Sequence, residues 1–181
     1  MDIYFAGTPN SAAEILKSLA SNDLFNIKGV ITQPDKKGKR GNQLIESPVS
    51  LMANSLSLQT YKPHNLNKEQ IQNDIDITNA DILLVVGYGN LIPAWILESN
   101  IKAINIHYSL LPSYRGASPI QSALLNNDKK TGVTFMQMSE DLDAGKVIKC
   151  FEIPINKKDN KSSLEKKLTK LSILNLEKVI T

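Results

Sequence analysis

The stretch Ile101–Ala117 reads IKAINIHYSLLPSYRGA, and both the fold class and the candidate site can be argued outward from it. Its first half predicts a β-strand in which Asn105 and His107 alternate with apolar residues. Side chains two positions apart share one face of a strand, so these two polar groups are expected to point the same way. Either residue by itself is more often an ordinary hydrogen-bonded side chain. An amide and an imidazole together, just before a loop stiffened by Pro112, indicate the edge of an active site.

Segments with strand-like and helix-like patterns alternate on both sides of this stretch. Short apolar runs predict strands, and apolar residues at three- and four-residue spacing predict helices. The predicted strands cover residues 2–6, 27–31, 82–86, 132–138 and 146–155, and the predicted helices cover residues 9–20, 47–58, 67–77, 118–125 and 162–181. Strand–helix–strand units favour parallel strands joined by right-handed crossovers. The pattern therefore predicts an α/β fold.

Three local details of these elements can also be predicted. Thr8 is expected to cap the first helix, with Pro9 at its first position. Ser162 and Glu165 are expected to form a capping box at the start of the last helix. Cys150 lies in a predicted strand and is expected to be a small buried apolar residue. As the single cysteine of the chain, it excludes an internal disulfide and a Cys-rich metal site.

Length and composition are those of a soluble globular domain. The chain has 181 residues, of which 41% are hydrophobic and 22% are charged, so it suits one domain with a substantial core. Met1 leads directly into a strand pattern, and no signal peptide, transit segment or long apolar span is predicted. The net charge of +3 does not by itself indicate a nucleic-acid partner.

Two glycine-containing turns follow predicted strands, where ligands bind in open α/β sheets. The first contains Gly7 and lacks the repeated glycines of a dinucleotide or Walker phosphate loop, which argues against a small phosphorylated substrate. The second is Gly87–Pro93, after the most apolar strand of the chain. Its glycines would let the backbone approach a flat ligand, although a tight strand-to-helix turn has the same pattern.

Four short motifs together resemble a known family. They are Asn105-Ile106-His107, Ser109-Leu110-Leu111-Pro112, Tyr114-Arg115-Gly116 and Leu142-Asp143-Ala144-Gly145. The combination resembles the 10-formyltetrahydrofolate-dependent formyltransferases, and among them the methionyl-tRNA formyltransferases most closely. The resemblance implies a Rossmann-like, open, twisted, mostly parallel sheet with helices on both faces. It also implies that residues 1–181 are a single catalytic domain, and that the C-terminal tRNA-binding barrel domain of that family is absent from them.

The resemblance assigns catalytic roles to Asn105, His107 and Asp143. Formyl transfer to an amine needs donors for a developing oxyanion and a path for a proton. Asn105 can supply one N–H to that oxyanion, and His107 can supply a second and act as an acid–base group. Asp143 would hold His107 in its charged form and accept the proton of the amine through water. No covalent enzyme intermediate and no metal ion are expected.

Neighbouring residues are given lesser roles. Glu140 and Asp141 are expected to be loop surface, and Arg115 is expected to brace its loop. By resemblance, the peptide bond before Pro112 is expected to be cis, as in relatives. The resemblance also implies a set of folate-binding residues, with the backbone more important than the side chain at Asn90. The set is Tyr88, Gly89, Asn90, Leu91, Ser109, Leu110, Leu111, Pro112 and Asp143.

The segment Gln33–Gln43 reads QPDKKGKRGNQ and carries four cations and no apolar residue. Such a segment cannot bury itself and is predicted to be a mobile loop. An isolated lysine-rich loop is usually only solvated surface. In methionyl-tRNA formyltransferases, however, a similar basic insertion reaches the acceptor end of the initiator tRNA. The implied tRNA-binding residues are Lys36, Lys37, Lys39, Arg40 and Gly41, with Arg40 the key arginine.

The sequence thus predicts a cytoplasmic, monomeric transferase that formylates the methionine of initiator methionyl-tRNA for translation initiation. The expected one-carbon donor is 10-formyltetrahydrofolate, with no metal and no membrane partner. Two alternatives stay open. One is a formyltransferase or formyl hydrolase that acts on another amine or on water. The other is a non-catalytic remnant that binds folate or tRNA.

Overall fold

The computed structural model describes residues 1–38, 44–71 and 75–181, and divides the chain into two compact units, Met1–Ala103 and Ile104–Thr181. The first unit begins with elements that follow the predicted order. They are β1 (Asp2–Gly7), α1 (Asn10–Ala20), β2 (Asn26–Ile31), β3 (Lys36–Lys37), β4 (Leu44–Ile45), α2 (Pro48–Ser55), β5 (Thr60–Tyr61), α3 (Lys68–Ile71), β6 (Ile82–Val86) and α4 (Ala94–Leu97).

Four of these strands form a parallel arrangement in the order β5-β2-β1-β6. Every residue of β6 is buried, as its continuous apolar sequence predicts for a strand covered on both faces. Helix α1 contributes its predicted apolar stripe to the same core, since Ala12, Ile15, Leu16 and Leu19 are fully buried. Thr8 does not cap this helix. Its N-cap is Pro9, and the Thr8 hydroxyl donates instead to the carbonyl of Tyr88 at 2.9 Å.

Lys36 and Lys37, in the basic segment predicted to be a mobile loop, form strand β3. Strands β3 and β4 pair antiparallel, with Lys36 opposite Ile45 and Lys37 opposite Leu44. We call these two strands the ribbon. Helix α2 begins just after it and is capped by Ser47, whose hydroxyl accepts from the Ser50 N–H at 3.0 Å. Helix α3 starts near its predicted position, and residues 72–74 lie outside the described part of the chain.

The second unit is dominated by antiparallel strands. It contains most of β7 (Lys102–His107), which starts two residues earlier, followed by α5 (Pro119–Leu125), β8 (Lys130–Gln137), β9 (Val147–Pro154) and α6 (Lys161–Ile180). Strand β8 lies between β7 and β9, and both pairings are antiparallel. The predicted α/β fold with a mostly parallel sheet is confirmed, and the antiparallel pairs of the main strands belong to this unit.

Three details of the second unit correct the sequence-based predictions. Asn160, not Ser162, is the N-cap of α6, and it forms the capping box with Ser163. Cys150 lies in a strand as expected but is exposed, because most of β9 is exposed. Leu174 belongs to the apolar spacing from which α6 is predicted, yet it is 72% exposed, whereas Leu164 and Leu168 are fully buried.

Across the described ranges, the longest helix is the 20-residue α6, and no helix is both long and apolar enough to cross a membrane.

Candidate active site

The pleat of β7 brings Asn105 and His107 to the same acidic side chain. Asn105 lies opposite Met136 of β8, and His107 lies opposite Thr134. The Asn105 amide Nδ2 donates to Asp143 Oδ1 at 3.2 Å. His107 Nδ1 lies 3.6 Å from Asp143 Oδ2. The prediction that both side chains share one face is therefore confirmed.

Asp143 is the centre of this group of residues, and its carboxylate has a third contact. The backbone N–H of Gly116 donates to Oδ2 at 2.7 Å. The side chains of His107 and Asp143 are 7% and 10% exposed. A largely desolvated carboxylate is stable when several donors satisfy it. We call Asn105, His107, Tyr114, Gly116 and Asp143 the Asp143 cluster.

The imidazole of His107 is fixed from its other side by a backbone carbonyl. His107 Nε2 lies 2.9 Å from the carbonyl oxygen of Tyr114. A carbonyl can only accept a hydrogen bond, so the hydrogen-bond network assigns a proton to Nε2. Nδ1, which faces Asp143, is then the nitrogen that can gain or lose the second proton. A distance of 3.6 Å is an ion-pair contact and is too long for a good hydrogen bond.

Tyr114 is itself anchored at the end of α5. Its hydroxyl donates to Asp128 Oδ2 at 2.7 Å and accepts from Asn126 Nδ2 at 2.9 Å. The hydrogen bond to Asp128 raises the pKa of the Tyr114 hydroxyl above its ordinary value. These contacts hold the loop that presents the carbonyl to His107.

Left-handed backbone conformations occur at three residues of the cluster. Tyr114 has φ +57°, Asp143 has φ +48° and Gly116 has φ +99°. Such conformations are rare for residues with a side chain and cost free energy, although aspartate tolerates them better than most. They persist where the surrounding contacts hold them in place, and they often mark functional sites. Glycine is the residue that accommodates the angle at position 116.

The loop that follows β7 is held by buried polar contacts. Ser109 is fully buried and donates to the carbonyl of Ser113 at 2.6 Å. Thr134 Oγ1 donates to the Ser109 carbonyl at 2.7 Å and accepts from the Leu111 N–H at 3.1 Å. The Leu111–Pro112 peptide bond is cis, as expected. The predicted folate-binding residues Ser109, Leu110, Leu111 and Pro112 therefore belong to one well-held loop.

Four further predicted folate-binding residues, Tyr88, Gly89, Asn90 and Leu91, lie in the first unit, after β6. Gly87 and Gly89 both have positive φ, and Tyr88 between them is 1% exposed. Burial raises the pKa of the Tyr88 hydroxyl above its ordinary value. The Asn90 side chain accepts from Gln33 Nε2 at 2.8 Å and donates to the His64 carbonyl at 3.2 Å. Leu91 is 77% exposed.

The predicted tRNA-binding residues divide into two groups. Lys36 and Lys37 form β3, and both are exposed. Lys39, Arg40 and Gly41 lie outside the described residues. The positions of the exposed pair agree with the expectation that this segment presents cations at the surface, and their role stays a prediction.

The predictions for the non-catalytic residues near the cluster differ in how they agree with the structure. Glu140 and Asp141 are exposed, as expected for loop surface. Arg115 is also exposed, and among the described residues it has no hydrogen-bond or ion-pair partner, so the structure does not support a bracing role. Within the same residues, no group of three His, Cys, Asp or Glu side chains is arranged to hold a metal ion.

Two members of the cluster were not identified from the sequence as interaction partners. Tyr114 contributes a backbone carbonyl, and Gly116 contributes a backbone N–H. Backbone contacts leave no direct signature in side-chain chemistry. The available signal was Gly116 itself, because a glycine in a polar loop often marks a left-handed turn.

Comparison with known proteins identifies the family of the chain. The model of the formyl transferase family matches residues 1–180. A methionyl-tRNA formyltransferase from Buchnera aphidicola subsp. Baizongia pistaciae is 42% identical over 181 residues, which are 99% of this chain and 56% of that protein. The protein of the same name from Buchnera aphidicola subsp. Acyrthosiphon pisum (strain Tuc7) is 40% identical, with 99% and 57% covered. The chain thus spans little more than half the length of these relatives.

Solved structures show the same fold at lower identity. A phosphoribosylglycinamide formyltransferase from Anaplasma phagocytophilum has a TM-score of 0.79 at 23% identity, covering 99% of this chain and 84% of that one. The phosphoribosylglycinamide formyltransferase from Bacillus halodurans has a TM-score of 0.78 at 22% identity, covering 100% of this chain and 96% of that one. A sugar N-formyltransferase from Shewanella has a TM-score of 0.71 at 19% identity, with 98% and 67% covered. At these identities the likeness concerns the fold.

Proposed function

Because the chain belongs to the formyl transferase family, we propose that it transfers the formyl group of 10-formyltetrahydrofolate to the amino group of methionine on initiator methionyl-tRNA. The observation that carries the chemistry is the convergence of Asn105 and His107 on Asp143. The names of the 40–42% identical relatives support the choice of acceptor. Folate-derived formyl donors agree with the family, and we expect the protein to act in the cytoplasm as a monomer during translation initiation.

Three side chains would divide the chemical work. The second N–H of the Asn105 amide and the Nδ1–H of His107 would donate to the formyl oxygen as it gains negative charge, an interaction that lowers the barrier. Asp143 would accept the proton that the attacking amine loses, directly or through water. His107 would return a proton to the folate nitrogen as its bond to the formyl carbon breaks. The loop Ser109–Pro112, which follows β7, would contact the folate.

A formyl transfer assay with competing acceptors tests this proposal. The protein is given 10-formyltetrahydrofolate together with methionine-charged initiator tRNA, glycinamide ribonucleotide and a 4-amino sugar nucleotide. We expect transfer to the tRNA. Transfer to another acceptor would indicate a different formyltransferase, and release of formate to water would indicate a formyl hydrolase. Folate binding without transfer to any acceptor would indicate a binding remnant.

The Arg40→Ala variant tests the tRNA assignment separately from the chemistry. We expect it to raise the KM for methionyl-tRNA about tenfold, because an arginine that contacts phosphate contributes strongly to affinity. The affinity for the folate should not change. Equal losses of tRNA and folate affinity would refute the assignment of this segment to tRNA.

A further inference from the structure

Lys62 joins the two ends of the ribbon. Its ammonium donates to Asp35 Oδ1 and Oδ2 at 2.8 and 3.0 Å, and to Glu46 Oε2 at 3.0 Å. Asp35 is the residue directly before β3, and Glu46 is the residue directly after β4. One cation therefore bonds both to the residue that precedes the ribbon and to the residue that follows it. We call Asp35, Glu46 and Lys62 the clamp.

The clamp is firmly attached to the body of the first unit. Lys62 directly follows β5, which pairs parallel with β2, and the Tyr61 carbonyl accepts from the Thr32 N–H at 3.0 Å. Glu46 also accepts from Ser50 Oγ at 2.5 Å and from Asn54 Nδ2 at 3.2 Å, both in α2. The clamp thus connects the ribbon to the parallel strands β2 and β5 and to helix α2.

Among the described residues, little else stabilises the ribbon. Its strands have two residues each, and an isolated two-stranded hairpin is marginally stable at best. Leu44 and Ile45 are 59% and 58% exposed, so they provide little burial. Without Lys62, the carboxylates of Asp35 and Glu46 would also repel each other at the base of the ribbon.

Lys62 differs from a lysine whose ammonium is available to bind a phosphate. The Lys62 side chain is 29% exposed, and its ammonium is already engaged by two carboxylates that are 23% and 34% exposed. Lys36 and Lys37, by contrast, are exposed, and neither has an ion-pair partner among the described residues. The structure therefore separates a lysine that holds the ribbon from two lysines that the ribbon presents.

We propose that Lys62 is a positioning residue for RNA recognition, which fixes the ribbon so that Lys36 and Lys37 meet the phosphates of the tRNA. This role rests on the proposed function, because it concerns how the same substrate is bound. The clamp acts through geometry, and its two carboxylates oppose RNA binding by charge. When the two carboxylates are neutralised, a positioning role predicts weaker tRNA binding, whereas simple charge attraction predicts tighter tRNA binding.

The first experiment measures the Kd for methionyl-tRNA and the kinetic constants of clamp variants. We expect Lys62→Met to weaken tRNA binding roughly three- to tenfold, since each partly exposed ion pair contributes a factor of up to about five. The kcat at saturating tRNA and the KM for the folate should not change. Lys62→Arg should restore most of the affinity, because arginine can bond both carboxylates. Lys130→Met, which removes one cation and an exposed ion pair with Glu152 elsewhere, is the matched control.

The second experiment uses the double variant Asp35→Asn with Glu46→Gln, which makes the protein more basic by two charges. General attraction to phosphates would tighten tRNA binding, whereas loss of the clamp should weaken it. Hydrogen exchange of the β3 and β4 amide groups, measured without tRNA, should be faster in Lys62→Met than in the wild type and restored in Lys62→Arg.

The outcomes distinguish the two proposals. Tighter binding by the double variant, or wild-type affinity and exchange in Lys62→Met, would overturn the clamp. A wild-type protein that binds no methionyl-tRNA would refute the proposed substrate and with it the RNA role of Lys62.

Discussion

The Asp143 cluster is buried and held by contacts from three backbone segments, whereas the ribbon is exposed and held at its base. His107 and Asp143 are 7% and 10% exposed, and the two β4 residues are 59% and 58% exposed. A buried site strengthens electrostatic interactions with a reacting group. An exposed ribbon can follow a charged backbone, in an interaction that salt weakens. Under the proposed function, the buried cluster would carry out the chemistry and the exposed ribbon would contact RNA.

The largest effect is expected from removing the imidazole of the buried cluster. His107→Ala should lower kcat about 10³-fold, because both a proton-transfer group and a hydrogen-bond donor are lost. The KM for methionyl-tRNA should change little. His64→Ala removes the only other histidine side chain, which is exposed, and should retain activity. Steady-state kinetics and a circular dichroism spectrum check both variants. Activity of His107→Ala within a few-fold of wild type would contradict the mechanism.

Asp143→Asn should have the next largest effect. An asparagine oxygen can still accept the Gly116 N–H, so the loop should keep its position while the negative charge is lost. We expect kcat to fall about 10²-fold, since proton acceptors of this kind contribute factors of that order. The crystal structure of the variant would show whether the loop is unmoved, and an unchanged kcat would exclude Asp143 as the proton acceptor.

The sequence was sufficient to predict the parts of the molecule that repeat a pattern. A continuous apolar run located β6, alternation of apolar residues located β7, and the pleat of β7 placed Asn105 and His107 on one face. The pairing of that face with Asp143, 36 residues further along, came from the resemblance, because spacing gives no reason to prefer Asp143 over Glu140 or Asp141.

Three features of the structure could not be predicted from the sequence, because each depends on how segments pack in three dimensions. Asn160 and Ser162 are both good helix caps, and tertiary contacts of the helix decide between them. Cys150 lies on a strand that is mostly exposed, which a strand pattern cannot reveal. The clamp joins residues 35, 46 and 62 from three separate segments. In the sequence, each of them is indistinguishable from an ordinary charged surface residue.

A smaller effect is expected at Gly116, where the cluster depends on backbone geometry. A Cβ at this position would make only an ordinary van der Waals contact, since the nearest atom, Leu142 Cδ2, is 4.0 Å away, but φ is +99°. Gly116→Ala should therefore cost about 1–2 kcal/mol of backbone strain. This corresponds to a fall in Tm of roughly 2–8 °C. Displacement of the N–H from Asp143 should lower kcat about tenfold at the same time.

Thermal melts and kinetics of Gly116→Ala and of Ala117→Ser would check this prediction. Ala117 is the exposed neighbour, and its substitution should leave both quantities unchanged. A normal Tm and kcat in Gly116→Ala would show that the contact with the N–H is dispensable.

The ribbon should respond differently, through affinity and salt. The double variant Lys36→Ala with Lys37→Ala should raise the KM for methionyl-tRNA roughly three- to tenfold at unchanged kcat. It should reduce the slope of log affinity against log salt by about one to two units, as expected for one or two lost phosphate contacts. Tenfold lower kcat with normal KM would place these lysines in the chemistry and abolish the separation.

The smallest effect concerns the pH dependence of the base of the ribbon. Hydrogen bonds from Ser50, and then from Lys62, hold the pKa of Glu46 below its ordinary value. A carboxylate with a lowered pKa in the folded state stabilises that state above the ordinary pKa, and this contribution is lost as the pH falls through the lowered value. Glu46→Gln should therefore have a slightly lower Tm than the wild type at pH 7, and the difference should shrink below about pH 4. Glu98→Gln is the control, and a difference that grows with acidity would contradict the assignment, since protonation of Glu46 removes the interaction that the variant lacks.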